Sequence, residues 1–173
     1  RKNRQFVVKM HFPVSNIMTF TLLAKFYVHL ALTALMIIFL CFSGYIPTVY
    51  ALQFFYYCPL MFLFFLALSW STAPMSAFSR DFKNLIKSIM TGLFWLSGVV
   101  WNTYALDVPW LRHLMLLNPI NYFVNGYRKA FVSHQWFWQY PTETLVFFVE
   151  FIVIILLGIY NYNRLRKKLP DVL

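Results

Sequence analysis

Four long apolar blocks alternate with short polar or charged segments along the chain: Ile17 to Phe42, Ala51 to Trp70, Leu85 to Trp101 and Leu145 to about Tyr162. A helix needs roughly 20 apolar residues to cross the hydrocarbon core, with about 17 as the lower limit. The pattern therefore predicts an all-α integral membrane protein with four transmembrane helices. Lys25 lies near the start of the first block, where its stem reaches the headgroups, and His29 one turn deeper reads by default as a satisfied interior histidine, with a polar contact between helices as the alternative. Pro59 is expected to kink the second helix, which a membrane protein accommodates through neighbouring groups. Leu85–Trp101 only just crosses, with Lys87 snorkelling at one end and Trp101 anchoring the other.

Two stretches break this alternation. Residues 104–131 are too apolar for a surface loop and too interrupted for a span. Pro109 and Pro119 each remove a backbone donor and disfavour helix at the preceding residue, which predicts short helices joined by breaks. Arg112, Arg128 and Lys129 lie among Trp110, Tyr122, Phe123 and Tyr127, the mixture found where hydrocarbon meets headgroups. The segment is expected to re-enter the membrane from its outer face. At the amino end, RKNRQFVVKMHFP places Arg1, Lys2, Arg4 and Lys9 around Phe6, Val7 and Met10, which share one helical turn. Residues 1–12 thus predict a basic amphipathic helix closed by Pro13, and these residues alone suit a helix lying on anionic lipid.

Composition excludes a soluble domain, because apolar residues make up 61% of the chain and charged ones only 12%. With 173 residues, one membrane domain is all that fits. The net charge of +10 does not indicate nucleic-acid binding, since the cations flank the apolar blocks. Arg1, Lys2, Arg4, Lys9, Lys25, Arg80, Lys83, Lys87, Arg164, Arg166, Lys167 and Lys168 fall on one side, and only Arg112, Arg128 and Lys129 on the other. The positive-inside rule then places the amino end, the SRDFKN turn and the tail 163–173 in the cytoplasm.

Catalytic chemistry is sparse. The five glycines cannot form a phosphate-cradling GxxxxGK[ST] loop, so the chain is expected to hydrolyse no ATP by itself and to bind no cofactor. His11, His29, His113 and His134 lack paired metal spacing, and Cys41 and Cys58 sit at mismatched depths, which predicts buried free thiols and no zinc site. Asp81 follows Arg80 at the cytoplasmic turn. Glu150, inside the last block, is an intramembrane carboxylate and so a functional candidate, with the alternative that it lies close enough to the interface to be protonated or hydrogen-bonded without further role.

The ordered combination of a basic helix closed by FP, a two-span hairpin, an RD turn and a broken aromatic segment carrying LLNPINYFVNGYRKAF resembles one family. It is similar to the permease subunits of polysaccharide-exporting ABC transporters of the type-2 exporter class, above all the teichoic-acid and O-antigen permeases. The matching residues are Leu117, Asn118, Pro119, Tyr122, Gly126, Tyr127 and Arg128, together with Arg80 and Asp81. The resemblance implies a bacterial plasma-membrane permease, working as a homodimer with two separate ATPase subunits that use ATP and magnesium, to move a lipid-linked polymer. It implies a six-span fold, of which this chain would be an amino-terminally truncated part. It also makes residues 1–12, through Arg1, Lys2, Arg4 and Lys9, a coupling helix for the ATPase, with Arg80 and Asp81 near the same partner. A pyrophosphate-bearing lipid head needs cations and sugars stack on aromatic faces, so Trp101, Tyr104, Trp110, Arg112, Tyr122, Tyr127, Arg128 and Lys129 are the candidate substrate and headgroup contacts.

Two other classes would share some of these features. A membrane transferase acting on lipid-linked sugars would need an outer acid or base, for which Asp107, Glu143 and two histidines offer no recognisable pairing. An ion-coupled carrier would need polar residues recurring along a span face, and Lys25, His29 and Glu150 do not line up.

Overall fold

The computed structural model describes residues 14–99, 102 and 108–165. The expected basic helix with Arg1, Lys2, Arg4 and Lys9 lies outside these residues, as do Trp101, Tyr104, Asp107 and the chain from residue 166. The described residues form helices and connections, with no strand among them. Six α-helices follow in order: α1 (Val14–Phe42), α2 (Phe54–Phe78), α3 (Arg80–Trp95), α4 (Pro109–Leu116), α5 (Pro119–Arg128) and α6 (Pro141–Leu165). A 3₁₀ turn at Val49–Gln53 leads into α2, a π turn at Lys129–Ser133 continues α5, and a 3₁₀ turn at Phe137–Gln139 precedes α6. Among the described residues, Met18–Phe42, Val49–Ser76 and Pro141–Asn161 are helical stretches long and apolar enough to cross a membrane.

Local chemistry explains where these helices stop. At the end of α1, Ser43 Oγ donates to the Phe39 carbonyl at 3.0 Å and Gly44 takes φ +90° to turn the chain. α2 runs through Pro59 and Pro74 to Phe78. The hydroxyls of Thr72 and Ser76 donate to the carbonyls of Leu68 and Thr72, each at 2.8 Å. Ser79 then separates two helices, its Oγ accepting the Phe82 amide at 3.2 Å at the start of α3.

α3 departs from the predicted block at 85–101. It begins earlier, at Arg80, and ends at Trp95, a length of 16 residues or roughly 24 Å. Ser97 causes the stop: its Oγ donates to the Phe94 carbonyl at 2.6 Å, and Gly98 follows at φ +67°. The apolar composition of residues 96–101 could not reveal this, because a hydroxyl and a left-handed glycine end the helix within an apolar run.

Two compact units divide these elements. One draws on α1 up to Leu30, on Phe62–Lys87 and on α6 from Phe151. Its helices meet through aromatic and small residues. Phe26 packs on Phe62 with ring centroids 4.9 Å apart, and Phe64, almost fully buried, meets Phe151 at 6.0 Å. A Cβ on Gly158 would lie 3.3 Å from the Ala67 carbonyl oxygen and 3.5 Å from the Ser71 nitrogen, so glycine lets the α2 and α6 backbones approach. Asn161 Nδ2 ties the same seam by donating to the Ser71 carbonyl at 3.1 Å.

The second unit comprises Ala31–Met61 and Ser88–Glu150. It contains most of the strongly buried side chains among the described residues: Tyr57, Cys58, Leu60, Met115, Tyr122, Phe123, Ala130, Phe131 and Phe147. Both cysteines are free thiols: Cys58 is buried as expected, whereas Cys41, in the last turn of α1, is exposed and not buried.

Candidate functional site

Proline opens both short helices of the interrupted segment. Pro109 and Pro119 occupy first-turn positions of α4 and α5, after the extended residues Val108 (φ −102°, ψ 102°) and Asn118 (φ −104°, ψ 106°). A missing amide costs nothing at that position, and the residue before proline is pushed into the extended region. Asn118 does more than precede the proline. Its Oδ1 accepts the Ile120 amide at 3.0 Å, while its Nδ2 donates to the Leu93 carbonyl at 2.7 Å. One buried side chain thereby caps α5 and fastens it to the end of α3. Asn121, also buried, donates to the Met115 carbonyl at 3.1 Å and so closes the corner between α4 and α5.

Aromatic rings set the position of α5. Tyr122 stacks on Phe147 of α6 at 4.3 Å and 10°, and meets the edge of Tyr57 of α2 at 5.5 Å. Its hydroxyl lies 3.2 Å from that of Tyr56 and 3.5 Å from Thr144 Oγ1. Gly126 lies against the Tyr57 ring: a Cβ there would fall within 2.4 Å of two ring carbons. Glycine at this point is a requirement of helix–ring contact, because any side chain would enter the ring. Tyr127 stacks on Phe131 at 6.1 Å and contacts Phe54 edge-on. Burial pushes the Tyr122 phenol up to about 12 and raises that of Tyr127 further, so both hydroxyls remain protonated donors at neutral pH.

The two cations at the end of α5 have partners within the unit. Arg128 reaches back to the Gly98 carbonyl at 2.8 Å, holding the turn that ends α3. Lys129 is buried, and its Nζ pairs with Glu143 Oε2 at 2.7 Å while lying 3.5 Å above the centre of the Tyr140 ring. Burial lowers the proton affinity of this ammonium, and the hydrogen bond and negative charge of Glu143 act in the opposite direction. The pair joins the π turn to the first turn of α6, where Glu143 also suits the helix dipole.

The remaining sequence candidates are distributed differently. Trp110 and Arg112 lie exposed on α4, whereas Tyr122 is buried and Tyr127 and Arg128 half-buried beside it. Tyr122, Tyr127, Arg128 and Lys129 thus form one cluster on α5 and its π turn. Arg80 and Asp81 occupy the exposed first turn of α3. His113 bonds the Pro109 carbonyl through its ring nitrogen at 2.7 Å, and His134 packs against Tyr50. Among the described residues no three His, Cys, Asp or Glu side chains gather where they could hold a metal. Glu150 is half-buried in α6, and its Oε2 has no hydrogen-bond partner.

Sequence reasoning missed Gln53 and the 134–140 turn. Gln53 is buried, donates to the carbonyls of Gln135 (2.8 Å) and Tyr50 (3.2 Å), and accepts the Phe137 amide at 2.9 Å. A lone glutamine at the start of an otherwise apolar span was the available signal, since an amide there must find partners. A sequence description of one family, the ABC-2 type transporter, matches residues 1–132, which includes α1 to α5 and most of the π turn. No curated protein matches the chain.

Proposed function

We propose a function from one premise: the chain belongs to the ABC-2 type transporter family. It is the membrane permease subunit of an ATP-driven exporter, and a separate ATP-binding subunit supplies the hydrolysis. The cargo is a lipid-linked cell-surface polysaccharide, such as a teichoic acid or O-antigen polymer, carried across the bacterial cytoplasmic membrane between two copies of the permease. Residues 1–12 act as the coupling helix on the ATPase, with Arg80 and Asp81 near the same contact, and both ends of the chain face the cytoplasm. α3 begins a fourth crossing from the cytoplasmic side, with Arg80 and Lys83 among the headgroups and Lys87 snorkelling back towards them.

The observation that carries this reading is the α5 element. Leu117 to Arg128 contains the residues that resemble the polysaccharide permeases, and three of its polar side chains fasten it to neighbouring backbone: Asn118 to Leu93, Asn121 through Nδ2 to Met115 (its Oδ1 is buried without a partner) and Arg128 to Gly98. Irregular backbone persists at membrane depth only where such partners satisfy it. In this reading the element re-enters the membrane from the outer face, beside the first turns of the last span. Arg128 and Lys129 hold its shape, while Trp110 and Arg112, exposed on α4, are the groups that meet phosphate and sugar at the exit.

The test is reconstitution. The permease and its ATP-binding subunit, purified together and placed in vesicles, should transfer a fluorescent lipid-linked oligosaccharide across the bilayer only with hydrolysable ATP. Arg112→Gln should reduce transfer while leaving subunit association intact. Transfer of unrelated lipids with equal efficiency would refute the cargo. Conversion of a lipid-linked sugar by the isolated permease chain would instead indicate a transferase.

A further inference from the structure

The turn at residues 134–140 carries no Lys, Arg, Asp or Glu, and it ends one residue before Pro141, the first residue of the apolar stretch Pro141–Asn161. Trp136 and Trp138 stack face to face within it at 4.4 Å and 11°. Trp136 is half-buried against Tyr50 at 5.1 Å, whereas Trp138 is 56% exposed. We propose that Trp138, backed by Trp136, is an interfacial contact that enters the headgroup layer at the Pro141 end of α6 and sets the depth of that end in the bilayer.

Three observations support a lipid interface as the occupant of this surface. Continuity comes first: Trp138 lies three residues before the start of a membrane-spanning stretch, at most about 10 Å along the chain, so its indole cannot be far from the hydrocarbon boundary. The second is backbone satisfaction. The amides of Gln135, Trp136, Phe137, Gln139 and Tyr140 bond respectively to Lys129 O, Gln139 Oε1, Gln53 Oε1, Trp136 O and Phe137 O. A turn with these five amides internally engaged can enter a region poor in water without leaving them orphaned. Rigidity is the third. Phe137 stacks on Tyr56 at 4.4 Å and the Tyr140 hydroxyl donates to Gln135 Oε1 at 2.9 Å, so the exposed indole face is held in place. An indole has an apolar body and one N–H donor, which suits the layer between acyl chains and headgroups.

Depth-dependent quenching tests this directly. The full chain would be reconstituted into phosphatidylcholine vesicles containing either shallow-brominated lipid, with bromine near the carbonyl end of the acyl chain, or deep-brominated lipid, with bromine near its methyl end. The fluorescence component lost on Trp138→Phe should be quenched at least about twofold more strongly by the shallow label, as an indole at the interface requires. Trp138→Tyr, which keeps an amphipathic ring, provides a second difference spectrum if the phenylalanine variant folds poorly. Equal or stronger quenching by the deep label would overturn the proposal by placing the ring in the core. Quenching by aqueous acrylamide with neither lipid effective would place it in water. Protection from all three quenchers would mean that protein covers it, and that also overturns the proposal.

Discussion

The two compact units of this chain hold together by different physics. In the unit built from Phe62–Lys87 and α6 beyond Phe151, the α2–α6 seam is close packing: Gly158 against Ala67 and Ser71, and Phe64 against Phe151, with Asn161 tied to the Ser71 carbonyl and Met75 Sδ. In the unit that contains α4, α5 and the turns, packing is supplemented by a dense polar mesh through Asn118, Asn121, Gln53, Arg128 and Lys129. The difference follows from backbone geometry. A continuous helix satisfies its own amides, so it needs only a small-residue seam to associate in a membrane. A chain broken at Pro109, Pro119 and the π turn exposes carbonyls and amides, and each must find a side chain. Among the described residues, the element with the most candidate function is therefore also the one with the most buried polar side chains.

The largest effect that could break this comparison is at Lys129. Its side chain is 4% exposed and that of Glu143 is 14% exposed. Removing one member of such a pair leaves a buried charge uncompensated, which costs about 3–5 kcal/mol. Lys129→Met should accordingly lower unfolding stability in detergent by that amount, and Lys129→Met with Glu143→Gln should recover most of it. A loss from Lys129→Met as small as that of an exposed pair, under about 1 kcal/mol, would show that the mesh is not what holds the segment.

Glycine substitutions sharpen the contrast at the next scale. Gly126→Ala drives a methyl group into the Tyr57 ring, and overpacking of this kind costs about 1–3 kcal/mol. Gly158→Ala meets backbone atoms at 3.3 Å and 3.5 Å, a tight fit that a small helix shift relieves, so its cost should be the lesser of the two. Gly92 in α3 has nothing within 4 Å of a new Cβ, and alanine there should stabilise by up to about 1 kcal/mol through helix propensity. Thermal unfolding of the three variants in one detergent gives the ranking. Gly158→Ala losing more than Gly126→Ala would reverse the view that the aromatic unit is the less tolerant.

Much of the helical layout was legible from apolar runs and proline. The stretches Met18–Phe42, Val49–Ser76 and Pro141–Asn161 overlap the blocks read at 17–42, 51–70 and 145–162, because twenty apolar residues admit few other structures. Pro109 and Pro119 marked two helix starts for a reason that is local to each residue. Partnerships were harder to read. Arg128 and Lys129 are adjacent in sequence and both looked like headgroup cations, yet one reaches 30 residues back to the Gly98 carbonyl and the other 14 forward to Glu143. Neither pairing has a periodic signature, since each depends on how α3, α5 and α6 are brought together. The premature end of α3 was hidden in the same way, by Ser97 and Gly98 within an apolar run.

The smallest predicted effect concerns the hydroxyl cluster at Tyr122, where burial, more than any neighbouring charge, raises the phenol to about 12. An unfolded tyrosine ionises near 10, so the folded state retains this proton more tightly than the unfolded state does. The sign follows from linkage: the contribution to stability is fully present below about pH 10 and is lost as pH rises from there through about 12. At neutral pH the hydroxyl is therefore a permanent donor, free to bridge Tyr56 and Thr144 without a charge-state switch. Alkaline titration of tyrosinate absorbance, compared between the parent and Tyr122→Phe in the same detergent, isolates this one ring. The difference should remain flat through pH 10, where exposed tyrosines ionise, and develop only toward pH 12. A difference already complete near pH 10 would mean that water reaches the Tyr122 hydroxyl, and that the aromatic unit is open where its packing shows it closed.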